Sequence, residues 1–312
     1  MNISFRIRCI KNSIKFWLIN CRYRLKYKPI RAEKRNIIYL VFVPDRKHAG
    51  LSDRLKVMVS VFHDAKLNGY RFKCYWGTPF PLSRYLRPKY DWVASLEELE
   101  YSLFDTKIVN ESDGKTPCHL SPGKQYHIYN YYAYVFDEYF ADIQCYWMDL
   151  FDELFSPNEI LEQELLRYNV APSSYISVHL RFVNALEHFE DTFFENKIDD
   201  ESQRQALIAK CKRGITEIVN QHPNTQVYVF SDSKVFLDSL NDIQVKILGS
   251  ECLGHCGENT NDDVHMKTFV DLFFMSRSKE IYWITCPEIY QYSGFAKMAA
   301  RIGGIPFTQK RL

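Results

Sequence analysis

The run Tyr175-Ile-Ser-Val-His-Leu-Arg181 decides how this chain is read. Carrying Ile176, Val178 and Leu180 and free of Gly or Pro, it reads as a strand over Tyr175–Leu180. Downstream, Glu201–Gln221 places Leu207, Cys211, Ile215 and Ile218 on one face, the period of a helix. The alternation then repeats. Gln226–Phe230, Val245–Leu248 and Glu280–Ile284 read as strands, and Lys234–Leu240, Lys267–Ser276 and Ser293–Ile302 as helices. Strands that alternate with helices build a parallel sheet covered on both faces.

The pattern also extends backward. Ile37–Val43 reads as a strand and Pro44–Ser52, with Gly50, as a loop. Asp53–Asn68 reads as a helix through Leu55, Val59, Phe62 and Leu67, ended by Gly69, with Phe72–Trp76 as the next strand. Residues 77–150 are Pro- and Tyr-rich and less regular, turn-like over Glu111–Lys124. Ser156-Pro157 is expected to open a helix running to about Tyr168. One core rarely grows past about 250–300 residues, so 312 residues predict more than one domain. The expected division is an N-terminal segment over 1–35, one Rossmann-like domain over 36–170 and a second over 171–312, with a cleft between the two.

Charge separates the first segment from the rest. The net charge is +2, yet residues 1–35 hold 11 Lys/Arg and one acid, Glu33, which leaves −8 on the remainder. A chain-wide basic footprint is absent, which argues against nucleic acid as a partner. At helical spacing Ile3, Ile7, Ile10, Ile14, Trp17, Leu18 and Cys21 share one arc, with Lys11, Lys15 and Arg22 beside it. A basic amphipathic helix with a Trp suits an anionic membrane surface, so residues 1–28 are expected to lie on one; docking on the protein's own core is the alternative. The longest early apolar run, Phe16–Ile19, is far short of the ~20 residues of a span, and no signal peptide is evident. A cytoplasmic protein, peripheral on the inner face of the membrane, is the expectation. Nine cysteines in so long a chain form no disulfide framework, and Cys252 and Cys256 lack the second pair a zinc site needs. Aromatic residues reach 15%; rings stack on sugars and bases, but filling the core is the favoured reading of this richness.

The chemistry lies just after the strands. His179 and Arg181 close the first strand of the second half, Ser231-Asp232-Ser233 follow the next, and Ser293-Gly294-Phe295 open the last helix. A helix start with Ser and Gly offers N–H groups to a phosphate, and Arg181 can grip diphosphate oxygens in bidentate fashion. Each feature alone has a structural explanation: Ser-Asp-Ser is a common helix cap, and an Arg at a strand end is a common surface ion pair. Their convergence on one sheet edge, where ligands bind in such folds, favours a site.

In this order the motifs resemble those of the fucosyltransferase superfamily, the α-1,2-, α-1,6- and protein O-fucosyltransferases. Val-His179-Leu-Arg181 is similar to the family's His-x-Arg motif, and Val-Phe-Ser231-Asp232-Ser233 to its second motif. Asp271-Leu-Phe-Phe-Met-Ser with Tyr-Ser293-Gly294-Phe295-Ala is similar to its third, and Gly50-Leu-Ser-Asp53-Arg54 to its N-terminal glycine loop. The likeness is good over 171–307 and patchy over 70–150. It implies an α/β fold of two facing Rossmann-like domains, the GT-B arrangement, and an inverting transferase that uses GDP-fucose without metal. It also implies roles. His179 and Arg181 would contact the diphosphate, with Ser231 and Asp232 alongside. Asp271 would face guanine or ribose, and Ser293, Gly294 and Phe295 would hold the diphosphate. Asp53 and Arg54 would line the cleft. The sequence departs from the pattern at Asn184, Ser52 and Gly294, which leaves the donor less defined than the fold.

No Asp-x-Asp follows a strand to hold a divalent ion on a diphosphate, so Arg181, Arg54 and the helix start at Ser293 must supply the positive charge. Glu187, Asp191 and Asp53 are the candidates for general base. The expected acceptor is a glycan, lipid-linked and destined for a surface polysaccharide. The alternatives are another nucleotide sugar on the same fold, or a protein that binds a nucleotide sugar or glycan without catalysis.

Overall fold

A computed structural model describes residues 14, 17–18, 21, 36–43, 50–100, 105–109, 120–129, 144–187, 196–249, 253 and 261–312. The chain divides into two compact units. One holds residues 1–49, 54–82 and 88–143; the other holds 50–53, 83–87 and 144–312. Residues 144–170 thus fold with the second unit.

Five main elements come first: β1 (Ile37–Phe42), α1 (Leu51–Leu67), β2 (Arg71–Trp76), then, after the short β3 (Leu86–Pro88), β4 (Thr106–Val109) and β5 (Gln125–Ile128). The first unit's sheet is parallel, in the order β2-β1-β5-β4. β1 is buried at all six positions, which is why its apolar run is so plain in the sequence. β5 hides its identity behind polar residues: Gln125 and His127 are fully buried, and they pair in register with Ile37 and Tyr39 of β1.

Next come α2 (Gln144–Leu154), β6 (Phe155–Pro157) and α3 (Glu159–Leu166). Here the expectation of a helix from Ser156 is corrected. Pro157 ends a strand that pairs with β3, and Asn158 caps α3 by accepting from the Leu161 N–H at 2.9 Å. Proline lacks the N–H of a ladder partner but is tolerated on a short edge strand.

The second sheet follows, with β7 (Tyr175–Leu180), α4 (Glu201–Gln221), β8 (Gln226–Ser231), α5 (Lys234–Asp238), α6 (Asp262–Ser276), β9 (Glu280–Thr285), α7 (Phe295–Gly303) and β10 (Phe307–Arg311). Its order is β10-β9-β7-β8, all parallel. The period of two along β7 sorts its side chains. Ile176, Val178 and Leu180 join Leu207, Cys211, Ile215 and Ile218 of α4 in one core. On the other face Tyr175 meets Phe274 of α6 and His179 meets Phe295 of α7. Helices therefore cover both faces, as the alternation predicts. The predicted strand Val245–Leu248 reduces to a single bridge, Lys246 with Tyr228. The helix expected from Lys267 begins five residues earlier, where Asn261 caps it and Asp262 and Asp263 favour its positive end.

The two α/β units, each built on a parallel sheet, are the fold class expected from the sequence. Most of the N-terminal amphipathic helix lies outside the described residues. Ile14, Trp17, Leu18 and Cys21 are helical, and the first three are more than half exposed. Among the described residues no helix is long and apolar enough to cross a membrane.

Candidate functional site

The order β10-β9-β7-β8 makes a switch point between β7 and β9, because the chain leaves β7 toward β8 and returns on β7's other side as β9. Adjacent strands whose connections depart in opposite directions leave a crevice beyond their carboxyl ends. His179 and Arg181 close β7, and the loop after β9 leads to Ser293-Gly294-Phe295.

His179 is buried, its Nδ1 has no hydrogen-bond partner, and its ring lies 5.8 Å from that of Phe295. Burial, helped by the Arg181 charge, pushes its pKa down to about 3, so it is a neutral imidazole at neutral pH. Helix α7 opens at Gly294 with no side chain capping it. Its first N–H groups point where an anion would sit.

Asp232 organises the loop that presents Arg181. Its carboxylate accepts from the Phe182 N–H at 2.7 Å and the Val183 N–H at 2.8 Å, and lies 3.4 Å from Arg181 Nε. Val183 stands at φ +55°, left-handed backbone that a β-branched residue avoids at a cost of about 1–3 kcal/mol. The two hydrogen bonds to Asp232 hold that turn. Burial raises the Asp232 pKa, opposed by Arg181 and by those amides. Asn196 completes the clamp: its Nδ2 donates to the Phe182 and Glu288 carbonyls, and its Oδ1 accepts from the Asn184 N–H.

The remaining expected residues fall in three places. Ser231 Oγ accepts from the Ser233 N–H at 3.1 Å, and Ser233 caps α5. Glu187 reaches the same helix start, accepting from Ser233 Oγ at 2.6 Å and from the Val235 N–H at 3.2 Å. Asp271, on α6, holds both carboxylate oxygens against Lys267 Nζ at 2.5 and 2.6 Å; burial raises its pKa and Lys267 opposes the rise. Asp53 sits half-buried in the first turn of α1. Arg54 is buried in the first unit, donates to the Thr78 carbonyl, and lies 5.5 Å from the ring centres of both Phe42 and Trp76. Asp191, Cys252 and Cys256 lie outside the described residues. Among the described residues no group of three His, Cys, Asp or Glu side chains is placed to hold a metal ion.

The sequence reading passed over Asn196, Lys267 and the left-handed Val183. An isolated Asn or Lys carries no pattern, and a valine gives no hint of positive φ.

The fold defines an α/β protein of two parallel-sheet units with a strand-order switch point in the second. The sequence matches no protein-family model and no curated protein. Solved structures do match in fold. Fucosyltransferase NodZ from Bradyrhizobium aligns at 11% identity and TM-score 0.55, over 85% of this chain and 91% of that one. NodZ α-1,6-fucosyltransferase soaked with GDP-fucose aligns at 11% and 0.55, over 86% and 93%. A mutant of Arabidopsis thaliana FUT1 in complex with GDP aligns at 11% and 0.55, over 90% and 71%. The chain shares the fold of these fucosyltransferases.

Proposed function

We propose that this protein is an inverting glycosyltransferase that moves fucose from GDP-fucose to a glycan, in surface polysaccharide synthesis, without a metal ion. The observation that carries the reading is the meeting of His179, Arg181 and the uncapped start of α7 at the switch point of the second sheet. The shared fold with NodZ, a protein soaked with GDP-fucose, supports the choice of donor.

On this reading the acceptor hydroxyl attacks the anomeric carbon from the face opposite the diphosphate. The bond from that carbon to the β-phosphate oxygen breaks, and GDP leaves. Arg181, the first amides of α7 and the Ser293 hydroxyl receive the charge that develops on the leaving oxygens. Neutral His179 donates a hydrogen bond without adding charge. Asp232 is a positioning residue that fixes the Arg181 turn, and Ser231 supports it through Ser233. Glu187 already takes two hydrogen bonds at α5, which favours Asp53 or Asp191 as the base. Asp271 contacts the nucleoside, with Lys267 bound to it. Arg54 acts in the first unit by packing rather than on the donor.

Residues 1–28 would hold the enzyme on anionic membrane beside a lipid-linked acceptor, at the cytoplasmic face. The exposed Ile14, Trp17 and Leu18 support this. Truncation at Pro29 would then abolish liposome binding while sparing stability.

Calorimetric titration with GDP, UDP and their sugars, each with and without chelator, tests the donor. GDP binding that survives chelator is the expected result. Binding of UDP alone would turn the reading to another nucleotide sugar, and binding without donor turnover would turn it to a non-catalytic protein.

A further inference from the structure

The loop from Pro287 to Ser293 carries the most exposed large apolar side chain among the described residues. Tyr292 is 80% exposed, and its ring stands edge-on to Tyr290 at 5.9 Å. Single exposed aromatics are ordinary on protein surfaces. This one sits at the end of a loop held at several points. Ile289 is buried in the core of the second sheet. The Tyr290 N–H donates to the Arg181 carbonyl at 3.0 Å. Glu288 pairs with Lys210 of α4 at 3.1 Å, and its carbonyl accepts from Asn196. The loop is thus tied to the residues that position Arg181, and its tip holds a bare ring next to Ser293.

We propose that Tyr292, oriented by Tyr290, is the stacking wall of an acceptor subsite that takes the apolar face of a pyranose ring. The proposal rests on the transferase reading above and names a residue that reading leaves without a role. The chemistry follows from the ring. A pyranose presents axial C–H groups on one face, and these pack on the electron-rich face of an aromatic side chain. A Tyr has two side-chain torsions, so holding it costs little entropy, and Tyr290 already sets its angle. The open exposure favours an acceptor over a nucleobase. A glycan must enter and leave with its chain trailing into solvent, and an open ring admits that.

Saturation-transfer NMR on the full chain tests this, with aromatic protons irradiated and lactose and cellobiose as probes in the presence of GDP. Wild type should pass saturation to the axial C–H protons of at least one disaccharide. Tyr292→Ala should weaken that signal about fivefold or more, and Tyr292→Phe should keep it. GDP affinity, measured in parallel, should be the same in all three. Equal signals from wild type and Tyr292→Ala, or none from wild type with either sugar, would overturn the proposal. So would a drop in GDP affinity in Tyr292→Ala, which would assign the ring to the donor. If wild type binds sugars through Tyr292 but never binds GDP, the transferase reading fails while the sugar-stacking role stands.

Discussion

Arg54 and Arg181 occupy comparable addresses in the two units and are treated in opposite ways. Each lies at the carboxyl edge of a four-stranded parallel sheet. In the first unit Phe42 ends β1 and Trp76 ends β2, and Arg54 from the first turn of α1 is packed against both rings at 5.5 Å. In the second unit Arg181 follows β7, has the Asp232 carboxylate beside it, and keeps 17% of its side chain exposed. A guanidinium packed on aromatic faces spends its charge inside the fold. For Arg181, held beside Asp232, the proposed partner is an anion, which a guanidinium fork suits. On the proposed reading the same residue type packs inside one unit and meets a ligand in the other, and its neighbours make the difference.

The sharpest way to break that contrast is Arg181→Ala. Loss of a charge-assisted contact to a leaving diphosphate should lower kcat/KM by about 2–4 kcal/mol in transition-state terms, on the order of a hundredfold or more. The melting temperature should fall as well, because the buried Asp232 carboxylate loses its cation, but the protein that remains folded should still show the kinetic loss. Steady-state kinetics beside a thermal melt decides it. Unchanged kinetics with a collapsed melting temperature would make Arg181 another Arg54.

Arg54→Ala should show the reverse. Removing a buried donor to the Thr78 carbonyl and its packing on two rings should cost about 2–3 kcal/mol of stability. The protein that remains folded should bind GDP as wild type does. A stable Arg54→Ala protein with lost turnover would return Arg54 to the donor-facing role that the sequence motif suggests.

His179 gives a pH signature peculiar to the second unit's edge. Its folded pKa, about 3, lies below the ordinary histidine value of 6.5, so the unfolded chain binds the extra proton between those limits. Stability from this group is complete above pH 6.5 and is lost as pH falls toward 3. Between pH 7 and 5 the loss should be about 2 kcal/mol. Urea denaturation at both pH values should show it in wild type and not in His179→Gln. Equal slopes for the two proteins would mean that the imidazole is not held neutral.

The two units were also unequally legible. β7 and α4 match their sequence readings because burial is continuous along one and confined to a clean stripe on the other. β5 escaped because Gln125 and His127 are polar residues buried inside a sheet, which breaks the apolar run that marks a parallel strand. β10, Phe-Thr-Gln-Lys-Arg, is an edge strand whose polar surface reads as loop. In the site, strand ends pointed to His179, Arg181 and Asp232. The aim of Asp232 at two backbone amides depended on a left-handed valine that no pattern announces.

The smallest expected effect separates a cap from a base at Glu187. Its Oε1 accepts from Ser233 Oγ and from the Val235 N–H, so it closes the start of α5 together with Ser233. A helix cap is worth about 1 kcal/mol. Glutamine keeps an acceptor oxygen in the same place but cannot take a proton at neutral pH. If Glu187 is a cap, Glu187→Gln should leave kcat within about twofold and Glu187→Ala should cost about 1 kcal/mol of stability. A general base behaves otherwise, because the amide abolishes proton transfer while preserving the fold, and such a step contributes about 10²–10⁴-fold. A hundredfold fall in kcat for Glu187→Gln at unchanged melting temperature would place the base at Glu187 and draw the ligand-facing edge of the second unit outward past Asp232. A fall within twofold would keep that edge between Arg181 and Ser293 and leave the proton to Asp53 or Asp191, which Asp53→Asn would then tell apart.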